Sequence, residues 1–301
     1  MIAFAATIPP FTLNIVQDIR DILSYDFMRQ ALLVGTILSI VAGLIGYFVV
    51  ARHQAFAGEA LSDVAFTGAL AGAAFAINPL VTLIGGTVIV ALAMGLFGER
   101  LRGRDVAVGT VLAWTLGLGS LFLSLFSTMA SGAGTGFSGV NALFGNLFGV
   151  TVAQTQVIGW MALAVVVVLA FIARPLLFAS LDPDVARARG VPTRALGLLF
   201  MALLGVAVSL ATIAVGALLV FALLLLPAAT AQQLTARPYA ALALSAGLAL
   251  LITWLGVAIS FYGGLPSSVC VSLLGVALYA ATLVFQRTRV AWQARVGVAA
   301  L

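Results

Sequence analysis

The sequence predicts an all-α polytopic membrane protein with about nine transmembrane helices. Of its 301 residues, 63% are hydrophobic and only 8% are charged, a composition far outside the range of soluble globular domains. The apolar residues form stretches of roughly 20 residues, the length that a helix needs to cross the hydrocarbon core of a bilayer. These stretches lie at 30–50, 59–77, 80–98, 107–127, 151–173, 195–214, 216–235, 239–260 and 266–285.

Short breaks separate the stretches and divide the chain. Asn78 and Pro79 are typical of a tight turn, whereas Gly216 marks only a weak turn between the sixth and seventh stretches. Pro227 lies inside the seventh stretch, where it should kink the helix or free a backbone carbonyl. We therefore expect a transmembrane domain at 30–286 and a cytoplasmic tail at 287–301. Residues 1–29 carry apolar side chains at helical spacing, which predicts an external amphipathic helix on the membrane surface.

The distribution of arginine predicts the orientation. Twelve of the 14 arginines fall on one side of the nine-span arrangement, and only Arg20 and Arg29 fall on the other. Loops on the cytoplasmic side of a membrane carry an excess of positive charge. We therefore expect the N-terminus outside and the C-terminus in the cytoplasm.

The chain contains no lysine, and this excludes two kinds of chemistry. A Walker A loop requires Gly-Lys-Ser/Thr, and Schiff-base chemistry on lysine requires a lysine side-chain amine. The chain is therefore no P-loop ATPase, and any role driven by ATP needs a separate subunit. The single cysteine, Cys270, excludes an intrachain disulfide and is typical of a small core residue. The arginines are dispersed among loops, which argues against nucleic-acid binding.

A charged island between two apolar stretches predicts a short, capped helix. Asp182 can accept from the free N–H groups of the first turn, and Pro183 fits the first helical position. Arg187 and Arg189 fall in the last turn, where cations suit the helix dipole, and Gly190 provides a left-handed stop. The residues alone leave two interpretations open: a surface that docks into a soluble partner, or a polar connector on the membrane.

Two acidic residues, Glu59 and Asp63, fall inside the second stretch. Four positions apart, they share one helix face, where the two charges repel and each carboxylate is costly in a bilayer. A bound cation would remove both penalties, so the pair predicts a transient cation site with Ser62 nearby. The alternative is that Glu59 lies at the cytoplasmic interface and a polar neighbour satisfies Asp63. His53, the only histidine, is predicted to be an interfacial polar residue and not a metal ligand.

Four motifs occur in a fixed order along the chain. They are Tyr25-Asp-Phe-Met-Arg-Gln-Ala-Leu32, Leu143-Phe-Gly-Asn-Leu-Phe-Gly-Val150, the charged island Leu181-Asp-Pro-Asp-Val-Ala-Arg-Ala-Arg-Gly-Val-Pro192, and the run from Val215 to Ala231 that ends in Leu-Pro-Ala-Ala-Thr-Ala. Together they resemble the signatures of the metal-type ATP-binding-cassette (ABC) permeases, the ABC-3 family that imports zinc, manganese or iron.

This resemblance implies a type II ABC importer-like permease in the inner membrane of a prokaryote. It implies a homodimer that works with two cytoplasmic ATPase subunits and an extracytoplasmic metal-binding protein. It also implies that the segment 174–194 holds a coupling helix, in which the small Ala186 and Ala188 would allow close approach to the ATPase. The implied coupling residues are Asp182, Pro183, Asp184, Ala186, Arg187, Arg189 and Gly190.

The resemblance also bears on the carboxylate pair. Members commonly have Gly-Asp-Ala-Leu-Ser-His-Ala where this chain has Gly58-Glu-Ala-Leu-Ser-Asp-Val64, which implies that Glu59 and Asp63 are metal ligands of the translocation path. Replacement of the family's histidine by Asp63 suits a harder ion such as manganese, whereas zinc is the commoner cargo of the family. The metal would be transported, with no cofactor bound permanently.

Two other functions remain open. The chain could be a secondary transporter in which Asp63 or Glu59 binds a proton or sodium, although it shows no internal repeat of the kind common in such proteins. It could also be a membrane scaffold that transports nothing, but acids inside a span argue against this function.

Overall fold

The computed structural model describes residues 24–98, 104–129, 145 and 147–298, which are helical and contain no strand. Most of the predicted N-terminal amphipathic helix lies outside the described residues. The helices are α1 (Asp26–Ala51), α2 (Ala55–Ala74), α3 (Pro79–Gly98), α4 (Arg104–Met129), α5 (Val152–Leu181), α6 (Pro183–Ala188), α7 (Thr193–Val215), α8 (Ala217–Leu234), α9 (Pro238–Gly263) and α10 (Ser267–Val298). A single 3-10 turn, Leu147–Gly149, precedes α5.

One long helix of the described residues overlaps each of the nine predicted stretches, which confirms the all-α fold class. Seven of these helices are long and apolar enough to cross a membrane, judged over the described residues by length and composition. The other two are α2 and α8, of 20 and 18 residues. The helix α2 carries the two carboxylates.

Local chemistry explains several boundaries. The Asn78 side chain accepts a hydrogen bond from the Leu80 backbone N–H at 3.0 Å and so starts α3. Gly216 has a φ of 86° and separates α7 from α8, a conformation that glycine adopts at little cost. Pro227 lies within α8, which continues through it. The weak turn expected at Gly216 is therefore a true helix break.

Contacts between helix ends define two ends of the molecule. At one, the Arg52 guanidinium lies over the Phe200 ring, 5.5 Å from its centroid, and Gln232 Nε2 donates to the Tyr47 carbonyl oxygen at 2.8 Å. These contacts join the end of α1 to the beginning of α7 and the end of α8. Because α6 directly precedes α7, we call this the α6 end. At the opposite end of the molecule, Tyr25 packs on α9. We call this the Tyr25 end.

The helix α1 is held by polar contacts and by glycine. Three hydrogen bonds join it to α9: Trp254 Nε1 to Thr36 Oγ1 at 2.9 Å, Ser39 Oγ to Thr253 Oγ1 at 2.7 Å, and Ser245 Oγ to the Gly43 oxygen at 2.7 Å. A Cβ on Gly43 would lie 2.5 Å from Ala246 Cα, and one on Gly46 would collide with the Leu224 carbonyl oxygen of α8. Small residues at these positions let the three helices approach closely.

Gly46→Ala should therefore destabilise the protein. Because the added methyl group meets rigid backbone, we expect a loss of about 1–3 kcal/mol, the usual cost of overpacking. Gly247→Ala is the matched control, because a Cβ there would meet nothing within 4 Å. Thermal unfolding of the purified proteins in detergent should show a lower midpoint for Gly46→Ala alone. Equal midpoints for the two variants would contradict the close contact between α1 and α8.

Candidate functional site

One face of α2 is partly open near the α6 end. The helical spacing places Phe56, Glu59 and Asp63 on one stripe. Phe56 is 70% exposed, and the two carboxylates are partly exposed, whereas their neighbours Ala60 and Leu61 are buried. The open stripe, defined by Phe56, Glu59 and Asp63, therefore carries both acidic groups of the span.

No described residue satisfies the carboxylates. Glu59 Oε2 is shielded from solvent yet accepts no hydrogen bond from any described residue. Ion pairs in the described part of the chain lie elsewhere, between Arg29 and Asp26 and between Arg187 and Asp184. A shielded carboxylate oxygen without a protein donor is unusual in folded proteins and points to a bound ion, a proton or water. The arrangement suits a cation that neutralises both charges.

The two other polar residues that the sequence analysis named near the pair, Ser62 and His53, contribute little to a metal site. Ser62 is fully buried, and its hydroxyl donates to the Glu59 backbone carbonyl oxygen at 2.8 Å. His53 is exposed in the turn between α1 and α2, with a φ of 53°. Among the described residues, no three His, Cys, Asp or Glu side chains cluster closely enough to hold a metal. One chain therefore offers a divalent cation the two carboxylates of Glu59 and Asp63.

Three further residues near this site were not predicted from the sequence. Gln54, two residues before Phe56, is 4% exposed, and its Oε1 accepts no hydrogen bond from a described residue. Phe66 and Leu70 lie on the same stripe as Asp63, three and seven positions further along α2, and both are buried. The helical spacing alone could have placed these two on the stripe.

The short helix α6 forms with the predicted caps. Asp182 Oδ1 accepts from the Val185 N–H at 3.0 Å, and Pro183 occupies the first helical position. The helix then ends in a Schellman motif: the Gly190 N–H donates to the Arg187 oxygen and the Val191 N–H to the Ala186 oxygen, both at 3.0 Å. Gly190 has the left-handed φ of 78° that this motif requires.

The burial of α6 shows which face is free. Ala186 is 0% exposed, whereas every other residue from 181 to 190 is exposed. The Ala186 side chain therefore packs α6 against the body of the chain, and its part in coupling to an ATPase stays a prediction. Ala188 does lie on the outward surface. The outward face also carries Arg189, whose guanidinium lies 5.6 Å from the centroid of the Phe178 ring of α5.

The outward face of α6 also carries an exposed ion pair. The Arg187 and Asp184 side chains approach to 3.6 Å, and both are largely in solvent. Arg187 Nε also donates to Thr193 Oγ1 at 3.2 Å, which links α6 to the first residue of α7. Exposed ion pairs add little stability, so these charges remain available to a partner.

Comparison with known proteins gives the family. The model of the ABC 3 transport family matches residues 24–286. The manganese transport system membrane protein MntC of Halalkalibacterium halodurans is 31% identical over 277 residues, which cover 90% of this chain and 91% of the relative. The high-affinity zinc uptake system membrane protein ZnuB of Haemophilus influenzae is 28% identical over 215 residues, covering 71% and 80%. A solved structure of PsaBC from Streptococcus pneumoniae in complex with a Fab has the same fold, with a TM-score of 0.77 at 22% identity over 89% of this chain and 95% of that one. Because the family model spans nearly the whole of the described chain, the protein belongs to the ABC 3 transport family.

Proposed function

We propose that this chain is the membrane-spanning permease subunit of an ABC importer that moves a divalent transition metal, manganese or zinc, into the cytoplasm. The observation that carries this proposal is the open stripe of α2, where Glu59 and Asp63 face no neutralising partner among the described residues. A cation that passes along this stripe would meet two carboxylates in succession. Relatives named for manganese and for zinc transport support this class of cargo.

The small number of ligands supports a homodimer. Zinc takes about four ligands in proteins, and manganese in oxygen sites takes about six. Two carboxylates from one chain leave either ion incompletely coordinated. A two-fold axis beside the open stripe would double the number of carboxylates and enclose the path between two copies, as a symmetric dimer interface does.

The donor set favours manganese. Carboxylate oxygens are hard ligands, whereas imidazole nitrogen is better matched to zinc. Asp63 stands where the family commonly has histidine, so this chain offers oxygen donors alone at the pair. We therefore propose Mn²⁺ as the preferred ion and Zn²⁺ as the alternative.

The energy would come from separate ATPase subunits. The chain lacks the lysine of a Walker A loop, so ATP hydrolysis requires another protein. The outward face of α6 is the proposed docking surface, and Asp182, Pro183 and Gly190 fix the shape of that helix. An extracytoplasmic metal-binding protein would dock at the Tyr25 end. The bilayer that surrounds the bundle is the inner membrane.

Reconstitution tests this function. Proteoliposomes that contain the chain with its ATPase and binding protein should accumulate Mn²⁺ or Zn²⁺ only when ATP is supplied on the side of the membrane that carries the ATPase. Vanadate should stop this uptake. The control is the same preparation with the ATPase omitted. Uptake driven by a proton or sodium gradient without ATP would instead establish the secondary transporter.

Labelling of the two ends of α9 tests the orientation. Leu265, after α9, is 53% exposed at the Tyr25 end, and Tyr239, in its first turn, is 61% exposed at the α6 end. In a Cys270→Ser background, a membrane-impermeant maleimide should label Leu265→Cys in intact cells. It should label Tyr239→Cys only after permeabilisation. The reverse pattern would place α6 outside the cell and overturn the docking of an ATPase on it.

A further inference from the structure

The outward face of α6 combines apolar side chains with one cation. Val185 and Ala188 are exposed three positions apart, so they are neighbours on one side of the helix. Val185 is 41% exposed. Arg189 follows one turn after Val185 and is exposed beside both residues. This face lies opposite the buried Ala186, and it therefore offers a partner a small apolar surface with a positive charge at its edge.

The charges of residues 181–190 are balanced except at Arg189. The Asp182 carboxylate accepts from a backbone N–H in the first turn of α6, where negative charge suits the helix dipole. Asp184 and Arg187 approach each other to 3.6 Å. The ion pairs of the described chain do not include Arg189. Arg189 is therefore the charge of this segment for which the described chain provides no opposite charge.

The Phe178 ring of α5 holds the Arg189 guanidinium in place. The guanidinium carbon lies 5.6 Å from the ring centroid, within the range in which an aromatic face attracts a cation. Phe178 is partly buried in the last turn of α5, so the ring is itself a fixed support. A stacked guanidinium keeps the N–H donors at its edge available for hydrogen bonds. Because its side chain is ordered in advance, Arg189 loses less conformational entropy when a partner binds.

The position and the charge of this segment favour a soluble partner over the membrane surface. The helix α5 has 30 residues and is about 45 Å long at 1.5 Å per residue, whereas the hydrocarbon core is about 30 Å thick. Phe178 lies at the end of this long helix. Residues 181–190 contain two aspartates and two arginines, so the segment has no net positive charge. Anionic lipid headgroups attract clusters of basic residues, which this segment does not provide.

We propose that Arg189, positioned by Phe178, binds a carboxylate at the end of an apolar groove in the ATPase subunit. This inference rests on the proposed function, in which the outward face of α6 is the docking surface, and it adds the chemistry of the partner. The groove receives Val185 and Ala188, and an Asp or Glu side chain of the ATPase faces Arg189. The planar fork of an arginine binds a carboxylate through two parallel N–H···O bonds. An ATPase without this carboxylate would leave the arginine unpaired, so Arg189 selects the cognate subunit.

Binding in detergent micelles without lipid tests the role of Arg189. The affinity of the purified permease for its ATPase is measured at several salt concentrations. Arg189→Glu should weaken binding by about 30-fold or more, because two carboxylates then face each other, and the loss should grow as the salt concentration is lowered. Arg237→Glu is the matched control. It reverses an exposed charge at the same end of the molecule, just before α9, and should change the affinity by less than about twofold.

A double-mutant cycle tests the positioning role of Phe178. Phe178→Leu keeps the apolar bulk and removes the ring, so affinity for the ATPase should fall roughly 2- to 10-fold, because Arg189 must then be ordered on binding. Phe178→Tyr keeps the ring and should bind like the wild type. In an Arg189→Gln background, Phe178→Leu should weaken binding no further. An equal loss with and without Arg189 would show that Phe178 only supports the fold.

Charge reversal on the ATPase identifies the group that faces Arg189. One Asp→Arg or Glu→Arg substitution on the ATPase should restore the binding of Arg189→Glu by roughly tenfold or more. The proposal is overturned if Arg189→Glu and Arg189→Gln both bind with wild-type affinity, or if no acidic residue of the ATPase restores binding. A loss seen only in nanodiscs with anionic lipid would also overturn it, since the cation would then contact headgroups. The proposed function is judged separately, by ATP-dependent metal uptake of the wild type and of Asp63→Asn, so the two hypotheses fail in different experiments.

Discussion

Uptake of both manganese and zinc should fall to background when Asp63 is replaced by asparagine. The amide keeps the shape of the carboxylate and removes its charge, so the cation loses one of the two ligands that one chain provides. Removing one partner of a shielded charge pair costs on the order of 2–5 kcal/mol, a factor of about 30 or more in binding. Radiolabelled metal uptake at matched expression measures the effect. Assembly and basal ATPase activity should stay at the wild-type level, because the substitution leaves packing and α6 unchanged.

Two comparison variants make this result specific. Asp63→His should retain transport and shift the preference toward zinc, because it introduces the softer imidazole ligand. Asp26→Asn is the matched control for the loss of a carboxylate, since Asp26 is exposed at the Tyr25 end and contacts only Arg29 at 3.9 Å among the ion pairs of the described chain. Wild-type transport by Asp63→Asn would show that Asp63 is a polar residue of the bundle and lies off the metal path.

Ala188→Trp should uncouple the permease from its ATPase. Ala188 is exposed on the outward face of α6, and a large ring there would hold a docked partner away from the helix. Overpacking of a close contact costs about 1–3 kcal/mol, which lowers affinity by roughly 5- to 150-fold. Co-purification of the ATPase and ATP-dependent uptake should fall together, while expression and the thermal midpoint of the permease stay unchanged.

A tryptophan elsewhere at the α6 end is the control for Ala188→Trp. Tyr239 is exposed at the beginning of α9, and Tyr239→Trp should neither weaken ATPase binding nor reduce uptake. Ala186→Trp cannot serve this purpose, because Ala186 is fully buried and a bulky side chain there should displace α6 or unfold it. Normal co-purification and uptake in Ala188→Trp would remove the outward face of α6 from the coupling mechanism.

Features that depend on neighbouring residues in the sequence could be predicted in advance. The nine long helices of the described residues follow from apolar length. The short helix α6 follows from its own caps at Asp182, Pro183 and Gly190, which need no tertiary contact to act. The carboxylate pair Glu59 and Asp63 could also be recognised as a candidate cation site, because that prediction depends only on negative charge inside a span. Each of these signals is contained in the residues of a single helix and its caps.

Features that depend on packing could not be predicted. The sequence pattern does not show which side of α6 rests on the body of the chain, so Ala186 and Ala188 looked alike. Helical spacing puts Phe66 on the stripe of Asp63, but only the packing of Phe122 of α4 against the cluster that contains Phe66 shows that this turn is covered.

The hydrogen bonds between α1 and α9 have a consequence for biosynthesis. The residues that they join are 202 to 218 positions apart, so α1 is inserted long before the ribosome has made its partner. In the meantime Thr36 and Ser39 can bond to the Leu32 and Gly35 oxygens of α1 itself, at 2.7 and 2.6 Å. The helix α1 can therefore stay inserted in the bilayer, with these hydroxyl groups hydrogen-bonded, before its partner helices are made. This is expected when membrane helices insert first and associate later. The face of α1 that carries Gly43 and Gly46 stays uncovered during this interval. The nascent chain is therefore exposed to incorrect helix pairing and to membrane proteases until α8 and α9 have been inserted.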